Sequence, residues 1–160
     1  FFFHADDGIR DSVASRGLGD VYKRQPQALG EKLKGLGADT PGGFLVVAVF
    51  YSLVHSLLEE YYWRWFVYGR ARHYLGIAGA NLLASLAFMA HHVVVINSFL
   101  PGEYFWSLTI PLSLSVAVGG VIWSVLYERA GSLYGAWLSH ALVDVALMVC
   151  GYDMAFGGGA

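Results

Sequence analysis

Ionisable side chains interrupt the apolar stretches of this chain at positions where they could carry out hydrolysis. Glu59 and Glu60 are adjacent, and Arg64 follows Glu60 by four residues, at the end of an apolar run. Charged groups at membrane depth are costly and persist mainly where they pair, line a polar cavity or carry chemistry. A carboxylate in such a cavity can act as a general base toward water. The cluster therefore predicts a buried ion pair, a catalytic base, or both.

Two later apolar stretches carry ionisable residues at the same spacing. Phe88 precedes His92 by four residues, with His91 between them, and His140 precedes Asp144 by four. Residues four apart share one face of a helix. Three helices would then each present ionisable groups to a shared interior. A single histidine of this kind could be a hydrogen-bonded core residue, but three sets on separate helices are not explained in that way.

The two adjacent glutamates cannot have the same role. On a helix Glu59 shares a face with His55, and Glu60 shares a face with Arg64. The two carboxylates point about 100° apart, so only one of them can face a reacting water directly. We expect Glu60 to take the ion pair with Arg64 and Glu59 to stay free as the base, although the residues alone also allow the opposite assignment.

The composition places these clusters in a membrane protein. Of the 160 residues 56% are apolar, and the mean hydropathy is +0.51, too high for an ordinary soluble domain of this length. The chain has no basic stripe, so nucleic acid is not an expected partner. The single cysteine, Cys150, excludes an intrachain disulfide and a thiolate metal cluster. We expect an integral membrane protein whose surroundings are the lipid bilayer.

Four long apolar segments must position the clusters, each close to the ~20 residues needed to cross about 30 Å of hydrocarbon. The segments are roughly 43–63, 75–96, 104–127 and 132–150, with polar hinges at 64–73, 97–103 and 128–131. They are too long and too continuously apolar for barrel strands. The predicted fold class is all-α, a polytopic transmembrane helical bundle with about four membrane helices and a short N-terminal amphipathic helix.

Small and aromatic residues predict how these helices meet each other and the membrane surface. Small residues crowd the second segment, and Gly119 and Gly120 mark the third, so close helix contacts are expected there. The tryptophans, Trp123 among them, are expected to form an interfacial belt.

The flanking regions differ in composition from the apolar core. Residues 1–25 are polar and aperiodic, and 17–25 (GLGDVYKRQ) resembles translated adapter sequence, so we expect a disordered or artefactual extension. Residues 26–42 are expected to be an interfacial segment, with an amphipathic helix over Gln27 to Leu36. The predicted core then covers 43–150, and 151–160 form a C-terminal tail.

The order and spacing of the three clusters resemble a known family. The motifs are Glu59-Glu60-x-x-x-Arg64, Phe88-x-x-x-His92 and His140-x-x-x-Asp144. They resemble those of the CPBP intramembrane proteases, also called the CAAX protease and bacteriocin-processing or Abi family, which includes type II CAAX prenyl endopeptidase-like proteins. The small and apolar residues from Ser132 to Ser139 are similar to those that precede the last histidine in this family. The resemblance covers about two-thirds of the chain.

This resemblance implies an endopeptidase that cuts a membrane peptide or protein, in a bacterial plasma membrane. It implies that Glu59 activates a water molecule and that His92 holds or polarises that water. It implies that His140 and Asp144 face the scissile carbonyl, as oxyanion stabilisers or as additional ligands. The remaining motif residues, Glu60 and Arg64, are implied to position Glu59.

The resemblance leaves the metal dependence open. Glu59, His92, His140 and Asp144 could together hold a zinc ion, since histidines and carboxylates with an open position form zinc hydrolase sites. However, His55 precedes Glu59 by four residues rather than one, so the single-helix zinc-protease motif is absent. Water activation by Glu59 and His92 requires no metal, and this is the interpretation we favour.

Two positions depart from the family pattern or leave it ambiguous. Asp144 stands where many relatives carry asparagine, and an ionised aspartate would repel an oxyanion unless it is protonated, bonded to His140 or bound to a metal. The spacing from Phe88 selects His92 as the site histidine, but His91 could replace it if the helix is distorted.

Two other functions are compatible with the residues. A non-catalytic membrane scaffold or bacteriocin-immunity protein could share this fold. A helical bundle could also use His55, His92 and His140 as ligands of a haem or metal.

Overall fold

The fold is seen in a computed structural model that describes residues 33–157. The predicted extension over 1–25, most of the predicted interfacial segment and residues 158–160 lie outside this range. Within residues 33–157 the regular structure is helical and contains no strand. Three helical stretches are long and apolar enough to cross a membrane, by length and composition: Pro41–Phe99, Gly102–Ala130 and Tyr134–Phe156. The predicted all-α membrane fold is confirmed.

The first stretch is broken at Gly76, which has φ 67° and ψ −179°. Only glycine adopts this backbone conformation readily. On a straight helix Tyr68 would lie about 24 Å from Ala84, yet these two residues pack in one core cluster with Ala80. The chain therefore turns back at Gly76. We call the two limbs α1 (41–75) and α2 (77–99).

Two further helices complete the described fold. Helix α3 covers Gly102–Ala130 and helix α4 covers Tyr134–Phe156. Helix α3 ends where Gly131 takes a left-handed conformation with φ 63° and donates its N–H to the carbonyl oxygen of Tyr127, a common helix ending. With α1 and α2, these helices agree with the predicted number of about four.

The hinge predicted at 64–73 is wrong, because these residues are helical and the turn lies at Gly76. The prediction treated this polar stretch as a break between two apolar segments. Instead, Arg64 forms an ion pair with Glu60 inside the helix, and Arg72 forms one with Glu128 of α3 at 2.8 Å. Glu128 also accepts a hydrogen bond from the Tyr68 hydroxyl at 2.8 Å, so it joins α1 to α3.

Helix α1 changes its hydrogen-bonding pattern around the glutamate pair. A short α-helical turn, Ser56–Glu60, lies between two π-helical segments, Phe50–His55 and Tyr61–Tyr68. Such π segments occur often at functional sites, because they rotate the side chains that follow them. The carboxylates of Glu59 and Glu60 are thus presented from an irregular part of the helix.

The chain divides into two compact units. Among the described residues, one contains 33–48 together with 147–157, and its core is formed by Leu33, Ala38 and Phe44. The other is Val49–Ala146, which contains all three motifs. In this second unit a Cβ placed on Gly120 of α3 would lie 3.2 Å from the Ser85 hydroxyl of α2. The predicted close contact between small residues is therefore present between these helices.

The break at Gly76 yields the first prediction. Gly76→Ala should lower the free energy of unfolding by about 1–3 kcal/mol, since alanine resists this backbone conformation. Gly135→Ala is the matched control, because both positions have open space for a Cβ but Gly135 lacks the positive φ. Thermal unfolding in detergent micelles measures both variants. Equal melting temperatures for the two would show that the turn does not depend on the conformation of Gly76.

Candidate active site

Residues from three helices converge within the second unit. Helix α1 supplies the glutamate pair and Arg64, α2 supplies two adjacent histidines, and α4 supplies a histidine and an aspartate. The structure brings all of these side chains into one cluster of short contacts, whose members are Glu59, Glu60, Arg64, His91, His92, His140 and Asp144.

Glu60 forms the centre of the buried part of the cluster. Its Oε1 lies 2.8 Å from Nδ1 of His140 and 3.1 Å from Nη1 of Arg64. The contact with Arg64 is an ion pair whose angle does not satisfy a hydrogen bond. Glu60 is 0% exposed and Arg64 is 1% exposed. The predicted pair is therefore present, and it is joined by a histidine from a helix 80 residues away in sequence.

Arg64 is enclosed by aromatic rings. Its guanidinium carbon lies 4.6 Å from the ring centre of Phe88 and 5.1 Å from that of Trp123. A cation over an aromatic face is attracted by the ring's negative charge density. The guanidinium nitrogens and Glu60 Oε2 have no protein hydrogen-bond partner among the described residues. Glu60 and these two rings are therefore the main partners of the buried positive charge.

His140 is held between a carboxylate and an aromatic ring. Its imidazole stacks on Trp123 with ring centres 4.0 Å apart and planes 15° from parallel. Its Nε2 lies 3.6 Å from Glu59 Oε2 and 3.7 Å from Asp144 Oδ1. These two distances are too long for hydrogen bonds, so Nε2 faces both carboxylates without being bonded to either.

Glu59 occupies the more open side of the cluster. It is 8% exposed, and its Oε1 lies 3.5 Å from His55 Nε2 and 3.9 Å from His91 Nε2. The side chains of these two histidines are 41% and 47% exposed. A molecule entering from that side reaches Glu59 before the sealed Glu60.

Both histidines of α2 lie at Glu59. Ligand atoms of Glu59, His91 and His92 are all within 4.8 Å of one another. The Nδ1 of His92 lies 3.1 Å from the carbonyl oxygen of Phe88, which can only accept a hydrogen bond. His92 therefore has a fixed ring orientation, whereas His91 is half exposed. The phenylalanine spacing that singled out His92 thus corresponds to a real contact.

Sequence reasoning missed part of the surroundings of the site. Trp123 was expected in an interfacial belt, but it is buried, 7% exposed, and lies against His140. Its spacing from Gly119 and Gly120, four and three residues earlier, was a usable signal, because those residues mark a face in close contact with another helix. His55 lies beside Glu59, as the four-residue spacing predicted, and His91 lies there too, although the spacing from Phe88 had selected His92.

Comparison with known proteins supports a family assignment. A family model described as Type II CAAX prenyl endopeptidase Rce1-like matches residues 41–146, a range that contains all three motifs. Searches of curated proteins and of solved structures gave no significant match. The family match and the three apolar helices together identify an integral membrane protein.

The buried ion pair yields the second prediction. Arg64→Met or Glu60→Leu alone should lower the free energy of unfolding by about 3–5 kcal/mol, because each leaves a buried charge without its partner. The double variant Glu60→Leu/Arg64→Met should cost less than either single one. A double-mutant cycle by thermal unfolding in micelles measures the coupling.

A more exposed ion pair provides the control for that cycle. Arg72→Met breaks the contact with Glu128, and it should cost less than about 1 kcal/mol because partly exposed pairs are weak. If the losses in free energy of unfolding caused by Glu60→Leu and Arg64→Met simply added in the double variant, the pair would not be tightly coupled.

Proposed function

The chain belongs to the Type II CAAX prenyl endopeptidase Rce1-like family, a family of membrane proteases, and we propose that it hydrolyses a peptide bond of a membrane-associated peptide or protein. The observation that carries this proposal is the convergence of Glu59 with histidines from α2 and α4. A carboxylate beside histidines on the open side of an apolar bundle has the composition of a water-activating site.

Glu59 is proposed as the general base. A water molecule beside Glu59 would lie within reach of His91 and His92, whose nitrogens can orient it. Glu59 takes a proton from the water as the oxygen forms a bond to the scissile carbonyl carbon. When the carbon–nitrogen bond breaks, Glu59 returns that proton to the departing amine. The position of Glu59 on the open side of the cluster supports this role.

His140 and Asp144 are proposed to lie beside the developing oxyanion. A side chain beside an oxyanion stabilises its negative charge only if that side chain presents a hydrogen or a positive charge. His140 does so when both of its ring nitrogens are protonated, and the buried Glu60 carboxylate is then its counter-charge. Asp144 Oδ1 lies 3.7 Å from Nε2 of His140. A proton between these two atoms, or a small movement of either side chain, is compatible with this distance.

The donor set at Glu59 also fits a divalent metal. Two histidines and one carboxylate within 4.8 Å of one another match the ligand chemistry of hydrolytic zinc sites. Glu59, His91 and His92 would hold the ion, which would polarise the substrate carbonyl and acidify a water. We propose that Glu59 activates the water without a metal ion, because the Glu59 carboxylate already provides a base and the two histidines already provide orienting groups.

The third prediction tests the assigned roles in the full chain reconstituted in liposomes with membrane-tethered peptides, both farnesylated and unmodified. Glu59→Gln should lower kcat/KM by about 10²–10⁴-fold, because the base is lost. His140→Ala should lower it by about 10²–10³-fold. Product formation by mass spectrometry measures both.

The controls for this assay are residues of the same types outside the cluster. Glu103→Gln and His73→Ala change exposed side chains near turns and should keep the rate of the unaltered chain. Equal cleavage by all five proteins would refute the assigned roles, and absence of cleavage by the unaltered chain would favour a non-catalytic scaffold. Removal of activity by a chelator, with recovery on adding zinc, would instead establish a metal-dependent version of the mechanism.

A further inference from the structure

We propose that Glu60 is the positioning residue of His140, fixing the hydrogen on Nδ1 and directing Nε2 toward Glu59 and Asp144. The sequence assigned Glu60 to the support of Glu59. The described ion-pair and hydrogen-bond contacts of the Glu60 side chain are instead with Arg64 and His140. The effect on catalysis rests on the proposed function, whereas the effect on the histidine ring does not.

Glu60 provides the negative charge that compensates the buried Arg64. The guanidinium of Arg64 keeps its positive charge in proteins, and it is 1% exposed. Burying such a charge is tolerable only with a compensating negative partner. Glu60 Oε1, at 3.1 Å from Arg64 Nη1, provides that partner as a carboxylate.

This carboxylate fixes the hydrogen on the imidazole of His140. A carboxylate accepts hydrogen bonds and donates none. Because Glu60 Oε1 lies 2.8 Å from His140 Nδ1, the hydrogen between them belongs to the histidine. The bond made by one ring nitrogen determines the state of the other. In the neutral ring, Nε2 is then free of hydrogen, and in the charged ring Nδ1 still donates to Glu60.

Trp123 and Glu60 together fix the direction of the ring. Stacking on Trp123, at 4.0 Å and 15°, restricts the plane of the imidazole. Stacking alone would still permit a half-turn of the ring about its Cβ–Cγ bond, which returns the ring to the same plane. The bond to Glu60 removes this freedom, because a half-turn would place a carbon where Nδ1 donates. Nε2 consequently stays on the side of Glu59 and Asp144.

Loss of the acceptor at position 60 should therefore change the tautomer. Without Glu60, a neutral His140 gains more by placing its hydrogen on Nε2, which faces two carboxylates. Glu60→Gln keeps an acceptor oxygen, and the nearby positive charge of Arg64 favours that oxygen over the amide nitrogen at the Oε1 position. Glu60→Leu/Arg64→Met removes the acceptor without leaving a buried charge unpaired. Comparison of these two variants separates the effect of the hydrogen-bond acceptor at position 60 from the effect of a general loss of stability.

The test is NMR spectroscopy of the full chain in micelles with isotope-labelled histidine, in which nitrogen shifts distinguish N–H from bare nitrogen. His140→Gln identifies the His140 signals by their disappearance. We expect Nδ1–H in the unaltered chain and in Glu60→Gln, and Nε2–H in Glu60→Leu/Arg64→Met. A bare Nδ1 in the unaltered chain, or the same tautomer in all three proteins, would overturn the proposal.

The liposome assay adds a readout that simple destabilisation would not produce. For Glu60→Leu/Arg64→Met we expect kcat to fall by about 100-fold or more, because the His140 ring loses the bond that holds Nε2 in place, with little change in KM. Glu60→Gln should stay within about 10-fold of the unaltered chain. Equal kcat values for these two variants would count against the proposal. If the tautomer changes as expected while the unaltered chain cleaves nothing, the positioning role stands and the proposed function fails.

Discussion

The structure depends on how one positive charge, the guanidinium of Arg64, is buried among apolar helices. Its partners come from α1, α2 and α3, and α4 is joined to it through Glu60. Glu60 lies on its own helix, Phe88 comes from α2 and Trp123 from α3, and His140 of α4 binds the same oxygen of Glu60. An unpaired charge at this position would cost several kcal/mol. The helices therefore have to meet where the charge is compensated, which is also where the candidate site forms.

This arrangement separates two carboxylates that are neighbours in sequence. Glu60 is fully buried, and both of its partners, Arg64 and His140, contact the same oxygen, Oε1. Glu59, on the adjoining face, remains open toward His55 and His91. The same short helical turn thus supplies one fully buried carboxylate and one more accessible carboxylate, and the environment rather than the residue type distinguishes them.

The sequence predicted the parts of this arrangement that follow from local helical geometry. The contacts between His55 and Glu59, Glu60 and Arg64, and His140 and Asp144 all join residues four apart, and helix periodicity is enough to foresee them. The helical membrane fold likewise follows from the length of the apolar segments.

Other features depend on contacts between distant parts of the chain, which periodicity does not encode. The bond from His140 to Glu60 and the stacking of Trp123 on His140 require the helices to be placed in space first. The turn at Gly76 was missed for a different reason. The polar stretch 64–73 was interpreted as a hinge, but its residues are helical, and Arg64 and Arg72 form ion pairs there.

The central claim is that Glu59 activates a water molecule that attacks the peptide bond directly. The most direct measurement is a single turnover in water enriched in heavy oxygen, followed by mass spectrometry of the product and of the enzyme fragment containing Glu59. The mechanism predicts one heavy oxygen in the new carboxyl group of the product and none in Glu59. Heavy oxygen in the Glu59 side chain would show that this carboxylate attacks the substrate itself, and would contradict the mechanism.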